Sequence, residues 1–461
     1  MPPSSPPSSP RPRFTRVAKP SATPAAPSIR GVRGDPVPST LPPDSLAWSL
    51  LLAARAVAAV RDGKSLTEGL LVSAGEAPAT RAAAADVAYG VLRRYGWGDF
   101  ILGRLLEKAL PHPEVHALLL AALYRLETRP EATHTVVDQA VAAAGEIAGG
   151  AFRGLVNGVL RNFLRQRESL LAAAAGDDEA ALQHPRWWLN KLRRAWPADW
   201  QRVVAAGNAQ APMTLRVNRR HATPAAYLAR LADAGIGARR VGACGLLLER
   251  PAAVDALPGF ADGWVSVQDA GAQRAAELLA PAPGSRVLDA CAAPGGKTAH
   301  LLEMAGEAGL DLLALDIDAL RTRRIEDNLR RLGLAATVRV ADCAEVGGWW
   351  DERPFDAILA DVPCSASGVV RRHPDSKWLR RESDIRRFAK TQAAILDALW
   401  PLLRPGGRLL YATCSVFPEE NGGQIDAFCV RQPGAERLAE EQLLPQDDHD
   451  GFYYALLRKS A

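Results

Sequence analysis

Residues 264–461 alternate short apolar runs with helical segments, and this alternation constrains the fold more than any other feature of the chain. Strands are predicted, with helices between them, at 286–290, 312–317, 336–340, 355–361 and 408–413. A repeated strand–helix pattern is typical of a doubly wound parallel sheet. We expect a late strand at 452–458 to join the edge of this sheet. In such folds ligands bind beyond the carboxyl ends of the strands, at the point where the strand order reverses.

The residues before this region divide into three segments of different character. Residues 1–43 hold 13 prolines and seven serines without apolar periodicity, so we interpret them as a disordered tail. Residues 44–175 have helical periodicity throughout, beginning at a cap on Asp44 or Ser45, and predict a compact helical domain. Residues 181–262 combine helices with strands, one of them near 238–249, and predict a small α+β module.

The net charge of +5 is distributed unevenly along the chain. Residues 181–262 carry twelve basic and only five acidic residues, a local excess that is expected of a polyanion binder. The arginines that crowd part of this module are Arg193, Arg194, Arg216, Arg219 and Arg220. We therefore interpret the module as an RNA platform, with a plain spacer domain as the alternative. The segment 371–390, with eight basic and three acidic residues, is expected either to hold RNA phosphates or to be a solvated helix face.

Two general patterns narrow the class of protein. No apolar run reaches the roughly 18 residues that a membrane span needs, so we expect no membrane association. The six cysteines show no CxxC spacing, which argues against a zinc site and against a disulfide framework. A reduced compartment, the cytoplasm, is the expected location.

A tight glycine loop follows the predicted strand at 286–290, and its residues are Cys291, Ala292, Ala293, Pro294, Gly295, Gly296 and Lys297. The loop matches neither the dinucleotide pattern GxGxxG nor the P-loop pattern. The helix that begins near its end still favours an anion such as a carboxylate.

Acidic residues end or follow three successive predicted strands. Asp316 lies about 20 residues beyond the glycine loop, the place where Rossmann-type sites hold ribose hydroxyls. Asp342 could meet an adenine amino group, and Asp361 ends the fourth strand. Because all three would face one crevice, a pocket explains them better than three separate helix caps. The set suits an adenosyl ligand with a carboxylate, and S-adenosylmethionine is the natural candidate.

Two cysteines follow predicted strands in the same half of the chain, Cys364 and Cys414. A single cysteine after a strand is usually a small buried apolar residue, but two beside one crevice indicate covalent chemistry. A thiolate that adds to carbon 6 of cytosine makes carbon 5 able to attack a methyl sulfonium. A protonated carboxyl such as Asp361 would relieve the charge at ring N3, and the base must leave its stack to be reached. Three other cysteines are interpreted as structural and a fourth as a strand residue: Cys291, Cys343 and Cys429, then Cys244.

The motifs resemble those of a known family, the RNA cytosine-5 methyltransferases of the NOL1/NOP2/Sun group. The resemblance rests on CAAPGGK (291–297), DVPCS (361–365), RRHPD (371–375) and ATCS (412–415). It is closest to the bacterial RsmB (Sun/Fmu) branch, because the helical first domain looks like a NusB-type RNA-binding module. The likeness covers the chain from about residue 44 onward.

The resemblance implies a Rossmann-like, S-adenosylmethionine-dependent domain in which Cys414 attacks carbon 6 and Cys364 assists product release. The family's cofactor contacts would fall on 291–297, Asp316, Asp342 and Asp361. The implied substrate is 16S ribosomal RNA, at the equivalent of cytosine 967, modified by a monomer that uses no metal. The chain departs from the family in Val362 and in Ser365-Ala366-Ser367-Gly368, where Ser-Gly-Thr-Gly is commoner.

Two other functions compete with this interpretation. A non-catalytic RNA-binding or antitermination-like factor would explain the helical domain and the basic module without any cofactor. An amino-group methyltransferase would need no cysteine nucleophile, but such enzymes carry an Asn-Pro-Pro-Tyr type loop where this chain has Asp361-Val362-Pro363-Cys364.

Overall fold

The computed structural model of the chain describes residues 40–460, so the tail predicted at 1–43 lies almost wholly outside the described residues. The helices are α1 (Leu46–Arg61), α2 (Leu66–Gly69), α3 (Pro78–Arg93), α4 (Tyr95–Leu105), α5 (Pro113–Thr128), α6 (Thr133–Ala144), α7 (Arg153–Arg165), α8 (Arg167–Ala175), α9 (Asp178–Leu182), α10 (Arg186–Ala195), α11 (Trp200–Asn208), α12 (Pro224–Asp233), α13 (Ala270–Leu279), α14 (Gly296–Met304), α15 (Ala319–Leu332), α16 (Ser376–Leu379), α17 (Glu382–Leu399) and α18 (Gly422–Arg431). The strands are β1 (Thr214–Val217), β2 (Ala238–Val241), β3 (Gly245–Leu248), β4 (Val265–Val267), β5 (Arg286–Asp289), β6 (Asp311–Asp316), β7 (Thr337–Val340), β8 (Phe355–Asp361), β9 (Leu403–Thr413), β10 (Ala435–Leu443) and β11 (Phe452–Lys459). None of the helices within 40–460 has the length and apolar character needed to span a bilayer.

The chain forms two compact units that are not simply successive in sequence. The first runs to Arg186 and also includes the short segment Pro374–Leu379. The second comprises Trp187–His373 and the residues from Arg380 onward.

The first unit is helical, as its periodicity predicts. Its central helix α1 begins at Ser45, whose hydroxyl accepts a hydrogen bond from the Trp48 amide at 3.1 Å, so Ser45 and not Asp44 is the cap. Leu50, Leu51 and Val57 are fully buried on α1, which packs mainly on α5 and α3. Burial of this apolar face stabilises the helices more than their intrinsic propensity does.

The segment Pro374–Leu379, which carries α16, completes the core of the helical unit. The Trp378 ring is buried among the unit's apolar side chains, and its indole nitrogen donates to the carbonyl oxygen of Leu92 at 2.8 Å. The Asp375 carboxylate accepts a hydrogen bond from the Leu66 amide, also at 2.8 Å. Residues that are distant in sequence therefore belong to one core.

The second unit begins with a small module built on a four-stranded antiparallel sheet of order β2-β3-β1-β4. Its core contains Leu215, Tyr227 and Leu246, all fully buried. The single strand predicted near 238–249 is in fact a hairpin, because Val241 pairs with Gly245 and the residues between them form the turn. Cys244 lies in that turn and not in a strand, so its assignment to a strand was wrong.

The remainder of the second unit is built on a seven-stranded sheet of order β10-β11-β9-β8-β5-β6-β7. The five strands β9, β8, β5, β6 and β7 run parallel, as predicted. Strand β11 runs antiparallel to both of its neighbours, β9 and β10. Strand β11 was expected at the edge of the sheet, but β10 pairs with it and is itself the edge strand. The sequence of β10, Ala435–Leu443, is charged and mostly exposed, which is typical of an edge strand and hides it from a search for apolar runs.

The strand order reverses between β5 and β8. From β5 the chain continues outward through β6 and β7, and it then returns to place β8 on the other side of β5. A crevice at the carboxyl ends of β5 and β8 is the position where doubly wound folds bind their ligands.

Candidate active site

Two thiols lie together at the carboxyl ends of β8 and β9. Cys364 follows β8 after a short turn, and Cys414 directly follows β9. The two strands pair in parallel with Asp361 opposite Ala412, which brings the following loops side by side. The Sγ atoms of Cys364 and Cys414 are 3.3 Å apart. The structure therefore places the two cysteines singled out by sequence in direct contact.

The Cys364 thiol holds its proton more tightly than an ordinary cysteine does. The hydrogen bond with Cys414 and the burial of the site raise the pKa of Cys364 well above its ordinary value. Either sulfur can be the donor in the S–H···S contact. The contact between the two thiols is the geometry on which an assignment of the nucleophile must rest.

A lysine lies beside these thiols, paired with the predicted catalytic carboxyl. The Lys297 ammonium contacts the Asp361 carboxylate at 2.6 Å and lies over the Phe452 ring. Burial opposes the positive charge, but Asp361 and Cys414 together raise the pKa of Lys297 above its usual value. The carboxyl that we expected to act alone is thus paired with a lysine.

The loop 291–297 is held in shape by its neighbours. Gly295 has a φ of +95°, a conformation that favours glycine, immediately before α14. Arg321 donates to the carbonyl oxygen of Ala293 at 3.0 Å, and Asn328 donates to that of Pro294 at 2.8 Å. The amide of Ala293 in turn donates to the Asp316 carboxylate at 3.1 Å. The loop and the end of β6 therefore form one preorganised wall of the crevice.

The predicted cofactor acids occupy different positions around this wall. Asp316 is buried at the end of β6 and contacts the loop, as described. Asp361 is joined to the loop through Lys297. Asp342 follows β7 and accepts a hydrogen bond from the Ala344 amide at 2.9 Å, which stabilises its own turn. Contacts thus join Asp316 and Asp361 to the loop, while Asp342 bonds locally.

A second pair of thiols lies at the same end of the sheet. The Sγ atoms of Cys291, in the loop, and of Cys343, after Asp342, are 3.9 Å apart. The hydrogen bond between them and burial raise the pKa of Cys291 well above its ordinary value, with Asp361 and Asp289 adding to the effect. The same hydrogen bond lowers the pKa of Cys343. The carboxylates whose charges act on this pair include Asp289, Asp361, Asp342 and Asp316.

Asp289, at the end of β5, carries a buried oxygen that the sequence did not single out. Its Oδ2 accepts a hydrogen bond from the Thr298 hydroxyl at 2.7 Å, while its Oδ1 has no hydrogen-bond partner among residues 40–460. Burial raises the pKa of Asp289 to about 7. An unsatisfied acceptor behind a glycine loop fits a ligand that bears an amino group, as S-adenosylmethionine does. Across the same residues, no group of three or more His, Cys, Asp and Glu side chains is arranged to hold a metal ion.

Sequence reasoning missed Glu420, which lies against both thiol loops. Its side chain is fully buried and accepts hydrogen bonds from the Ser365 amide and from the Ser365 and Ser415 hydroxyls. A carboxylate close after a Thr-Cys-Ser sequence was the available signal, but Glu419-Glu420 resembles an ordinary solvated helix start.

The Pro-Cys loop continues into the short stretch where the chain departs from the family pattern. Ala366 adopts a φ of +60°, a conformation that glycine would adopt more easily. The Gly368 amide donates to the carbonyl oxygen of Cys414 at 2.8 Å. A Cβ at position 368 would lie 2.3 Å from the Gly451 carbonyl oxygen, so the close approach of these backbones requires glycine.

The prediction that Arg216 belongs to an RNA platform was wrong. Arg216 is fully buried, and its guanidinium donates to both carboxylate oxygens of Glu303 at 2.7 and 2.9 Å. It also donates to the carbonyl oxygen of Gly296 at 2.7 Å, next to the predicted cofactor loop. Arg219 and Arg220 are exposed, as an RNA platform requires.

The basic segment 371–390 is also not a uniform phosphate-binding or solvated surface. Arg371 is buried against Asp450, and Arg372 bonds both Asp450 and Asp269. Lys377 is buried in the helical unit, where burial lowers its pKa to about 7. Buried ion pairs and a buried lysine, which sequence counts cannot distinguish from exposed charges, explain the error.

Three family models match successive parts of the chain. Residues 276–458 match the model described as 16S rRNA methyltransferase RsmB/F, and residues 184–255 match the ferredoxin-like domain of RsmF/B-like methyltransferases. Residues 50–165 match the NusB family. The predicted fold class is therefore confirmed: a NusB-like helical domain, an α+β module and a Rossmann-like methyltransferase domain.

Known proteins resemble the chain over most of its length. Ribosomal RNA small subunit methyltransferase B of Pseudomonas putida is 47% identical over 433 residues, which cover 89% of this chain and 98% of the relative. The protein of the same name from Salmonella arizonae is 45% identical over 422 residues, with coverages of 88% and 98%. The crystal structure of PH0851 has a TM-score of 0.76 and 23% identity, and the match covers 91% of this chain and 99% of that one. At that identity the structural likeness supports the fold alone.

Proposed function

The chain belongs to the RsmB/F family of 16S rRNA methyltransferases, and from this premise we propose that it is an S-adenosylmethionine-dependent RNA cytosine-C5 methyltransferase. We propose 16S rRNA as the substrate, at the equivalent of cytosine 967, with a covalent bond to a cysteine during turnover. The observation that carries this proposal is the 3.3 Å contact between Cys364 and Cys414, beside the Lys297–Asp361 ion pair, at the reversal of the sheet.

The cofactor contacts are assigned to the wall described above. The loop 291–297, Asp316, Asp342 and Asp361 would hold S-adenosylmethionine, and the orphaned oxygen of Asp289 suits its amino group. When bound, the cofactor supplies an electrophilic methyl group on a sulfonium.

The chain's own residues then account for the activation of the cytosine. The Cys414 sulfur forms a bond to carbon 6, and this gives carbon 5 the electron density it needs to react. The Lys297–Asp361 pair supplies and holds the proton at ring N3, so that no negative charge builds up there. After methylation, water takes up the carbon 5 proton, and the electron pair of that C–H bond re-forms the double bond between carbons 5 and 6. The bond from Cys414 to carbon 6 then breaks, the sulfur leaves as a thiolate, and ring N3 returns its proton to the Lys297–Asp361 pair. Cys364, which retains its proton, assists this release.

The remaining domains are proposed to bind the RNA. We assign this role to the NusB-like domain at 44–175 and to the basic module at 181–262, with 264–461 as the catalytic domain. Support comes from exposed arginines of the module, which include Arg219, Arg220, Arg239 and Arg240. Such residues supply salt-dependent affinity for phosphates without regard to sequence.

A trapping experiment tests the assignment of the two thiols. The full chain is incubated with S-adenosylmethionine and 16S rRNA, and the products are separated on denaturing gels. The Cys364→Ala variant is expected to accumulate a protein–RNA adduct that survives denaturation. The double variant with Cys414→Ala should form none, and an adduct in the double variant would contradict the assignment of the nucleophile.

The alternative of a non-catalytic RNA-binding factor predicts RNA affinity without any response to the cofactor. Calorimetry with S-adenosylmethionine separates the two functions. We expect heat of binding and transfer of a labelled methyl group to RNA, and the absence of both would favour the alternative. Bisulfite sequencing of the methylated RNA then identifies the modified cytosine.

A further inference from the structure

The carboxyl group of Glu420 links the loop that carries Cys364 to the loop that carries Cys414. Its Oε2 accepts hydrogen bonds from the hydroxyls of Ser365 and Ser415, each at 2.6 Å, and its Oε1 accepts one from the Ser365 amide at 2.8 Å. Ser365 directly follows Cys364, and Ser415 directly follows Cys414. One buried carboxylate therefore holds each loop at the residue next to its sulfur.

Neighbouring polar groups enclose this contact. Gln392 donates to the carboxylate at 3.2 Å and to the carbonyl oxygen of Pro363 at 2.9 Å. The Ser367 hydroxyl lies 3.0 Å from the hydroxyls of both Ser365 and Ser415. The two loops are thus fixed by a connected set of hydrogen bonds and not by apolar packing alone.

The burial of a carboxylate between two loops costs folding free energy. Burial raises the pKa of Glu420, and the hydrogen bonds from the serines and Gln392 counteract the effect. Within residues 40–460, Glu420 forms no ion pair with lysine or arginine. Two loops could be joined at lower cost by neutral or apolar side chains. The charge at this position therefore calls for a role beyond packing.

The negative charge of Glu420 also acts on the Cys364 thiol. After the hydrogen bond with Cys414 and burial, the negative charge of Glu420 is a further cause that raises the pKa of Cys364. The carboxylate that joins the two loops thus opposes loss of the proton from Cys364.

We propose that Glu420 is a positioning residue for methyl transfer, whose carboxylate holds the thiols of Cys364 and Cys414 in contact through hydrogen bonds to Ser365 and Ser415. This inference rests on the proposed function, because it presumes that Cys414 is the nucleophile. Glu420 itself touches no reacting atom and acts through Ser365 and Ser415.

The first test compares Glu420→Gln with Glu419→Gln in the full chain. The control removes the same charge from the adjacent residue, which is exposed and paired with Lys191. In Glu420→Gln we expect kcat for methyl transfer to fall about 10- to 100-fold, because misplaced reacting groups cost rate. The KM for S-adenosylmethionine should change little, and Glu419→Gln should keep the parent kcat. Circular dichroism and thermal unfolding check that both variants fold.

The second test measures the contact between the thiols without any methyl transfer. An azo oxidant converts two neighbouring thiols to a disulfide, taking up the two electrons and two protons that they lose. Peptide mapping then gives the rate of closure between Cys364 and Cys414. We expect closure in Glu420→Gln to be about tenfold slower than in the parent. Closure between Cys291 and Cys343, which Glu420 does not contact, should be unchanged.

The outcomes separate the proposals. Unchanged closure between Cys364 and Cys414 in a folded Glu420→Gln variant would overturn the positioning role, and so would slowed closure with an unchanged kcat. If Cys414→Ala still methylates RNA, the proposed function fails, while the closure rates still show whether Glu420 holds the thiols. If Glu420→Gln does not fold, Ser415→Ala replaces it, with the same expected fall in kcat and in closure rate.

Discussion

Two pairs of cysteines lie at the same end of one sheet, and their surroundings differ in charge and in restraint. The Lys297 ammonium, paired with Asp361, interacts electrostatically with Cys414, and Glu420 forms hydrogen bonds to both loops of the Cys364–Cys414 pair. The Cys291–Cys343 contact is longer, at 3.9 Å against 3.3 Å, and carboxylates surround it. In the proposed function, a neighbouring cation and a fixed geometry distinguish the Cys364–Cys414 pair from the Cys291–Cys343 pair.

The largest expected effect separates the two pairs by activity. Cys414→Ala should lower methyl transfer at least about a thousandfold, because removal of a nucleophile leaves only binding and orientation. Cys343→Ala in the other pair should retain most of its turnover. Labelled methyl transfer to 16S rRNA measures both, with RNA affinity as the control for folding. Comparable losses in the two variants would remove the distinction between the pairs.

The next effect concerns the acidic surroundings of Cys291. Asp289 has a folded-state pKa of about 7 against an ordinary value of 3.8, so the folded chain keeps a proton that the unfolded chain releases. This contributes stability at low pH, and the contribution is lost as the pH rises toward 7. Between pH 4 and 8, Asp289→Asn should gain about 2–4 kcal/mol of unfolding free energy relative to the parent. Urea unfolding of both proteins without cofactor measures it, and a constant difference across that range would refute the shift.

Substitution of one glycine near each pair of thiols tests how tightly the surrounding loops are packed. Gly368→Ala places a Cβ 2.3 Å from the Gly451 carbonyl oxygen, and should lower the unfolding free energy by about 1–3 kcal/mol. Gly347, close after Cys343, has open space around its Cβ position, so Gly347→Ala should change it by less than about 0.5 kcal/mol. Chemical denaturation gives the change in unfolding free energy for both variants. Equal changes would mean that the two loops tolerate an added methyl group equally well.

The smallest effect concerns the position where this chain departs from its family. Ala366 has a φ of +60°, a backbone conformation that costs an alanine roughly 1–2 kcal/mol of strain. A glycine there would avoid this strain, but its greater loss of conformational entropy on folding costs roughly 0.4–1 kcal/mol. Ala366→Gly should therefore stabilise the chain by at most about 1.6 kcal/mol without changing kcat. A loss of stability in the same denaturation series would show that the Ala366 methyl group contributes packing that outweighs its strain.

Patterns of apolar residues predicted most of the sheet, because buried parallel strands are short and apolar. They failed at β10, whose edge position leaves it charged, and at the 238–249 hairpin, whose apolar run conceals a turn. The glycine loop and the two cysteines could be recognised from local sequence. Glu420 and the Lys297–Asp361 pair could not, because what defines them is contact between segments far apart in the chain. Arg216 shows the converse, since a count of charges cannot tell a buried ion pair from an exposed surface.

The place of Trp378 in the helical core has a consequence for the order in which the protein forms during synthesis. The helical half leaves the ribosome first, yet one of its core side chains is added almost two hundred residues after Arg186. At roughly 5–20 residues per second, that interval is on the order of 10–40 seconds. During that interval we expect the core of the first domain to lack the Trp378 side chain. The core is therefore expected to be completed only after the chain has been made through α16.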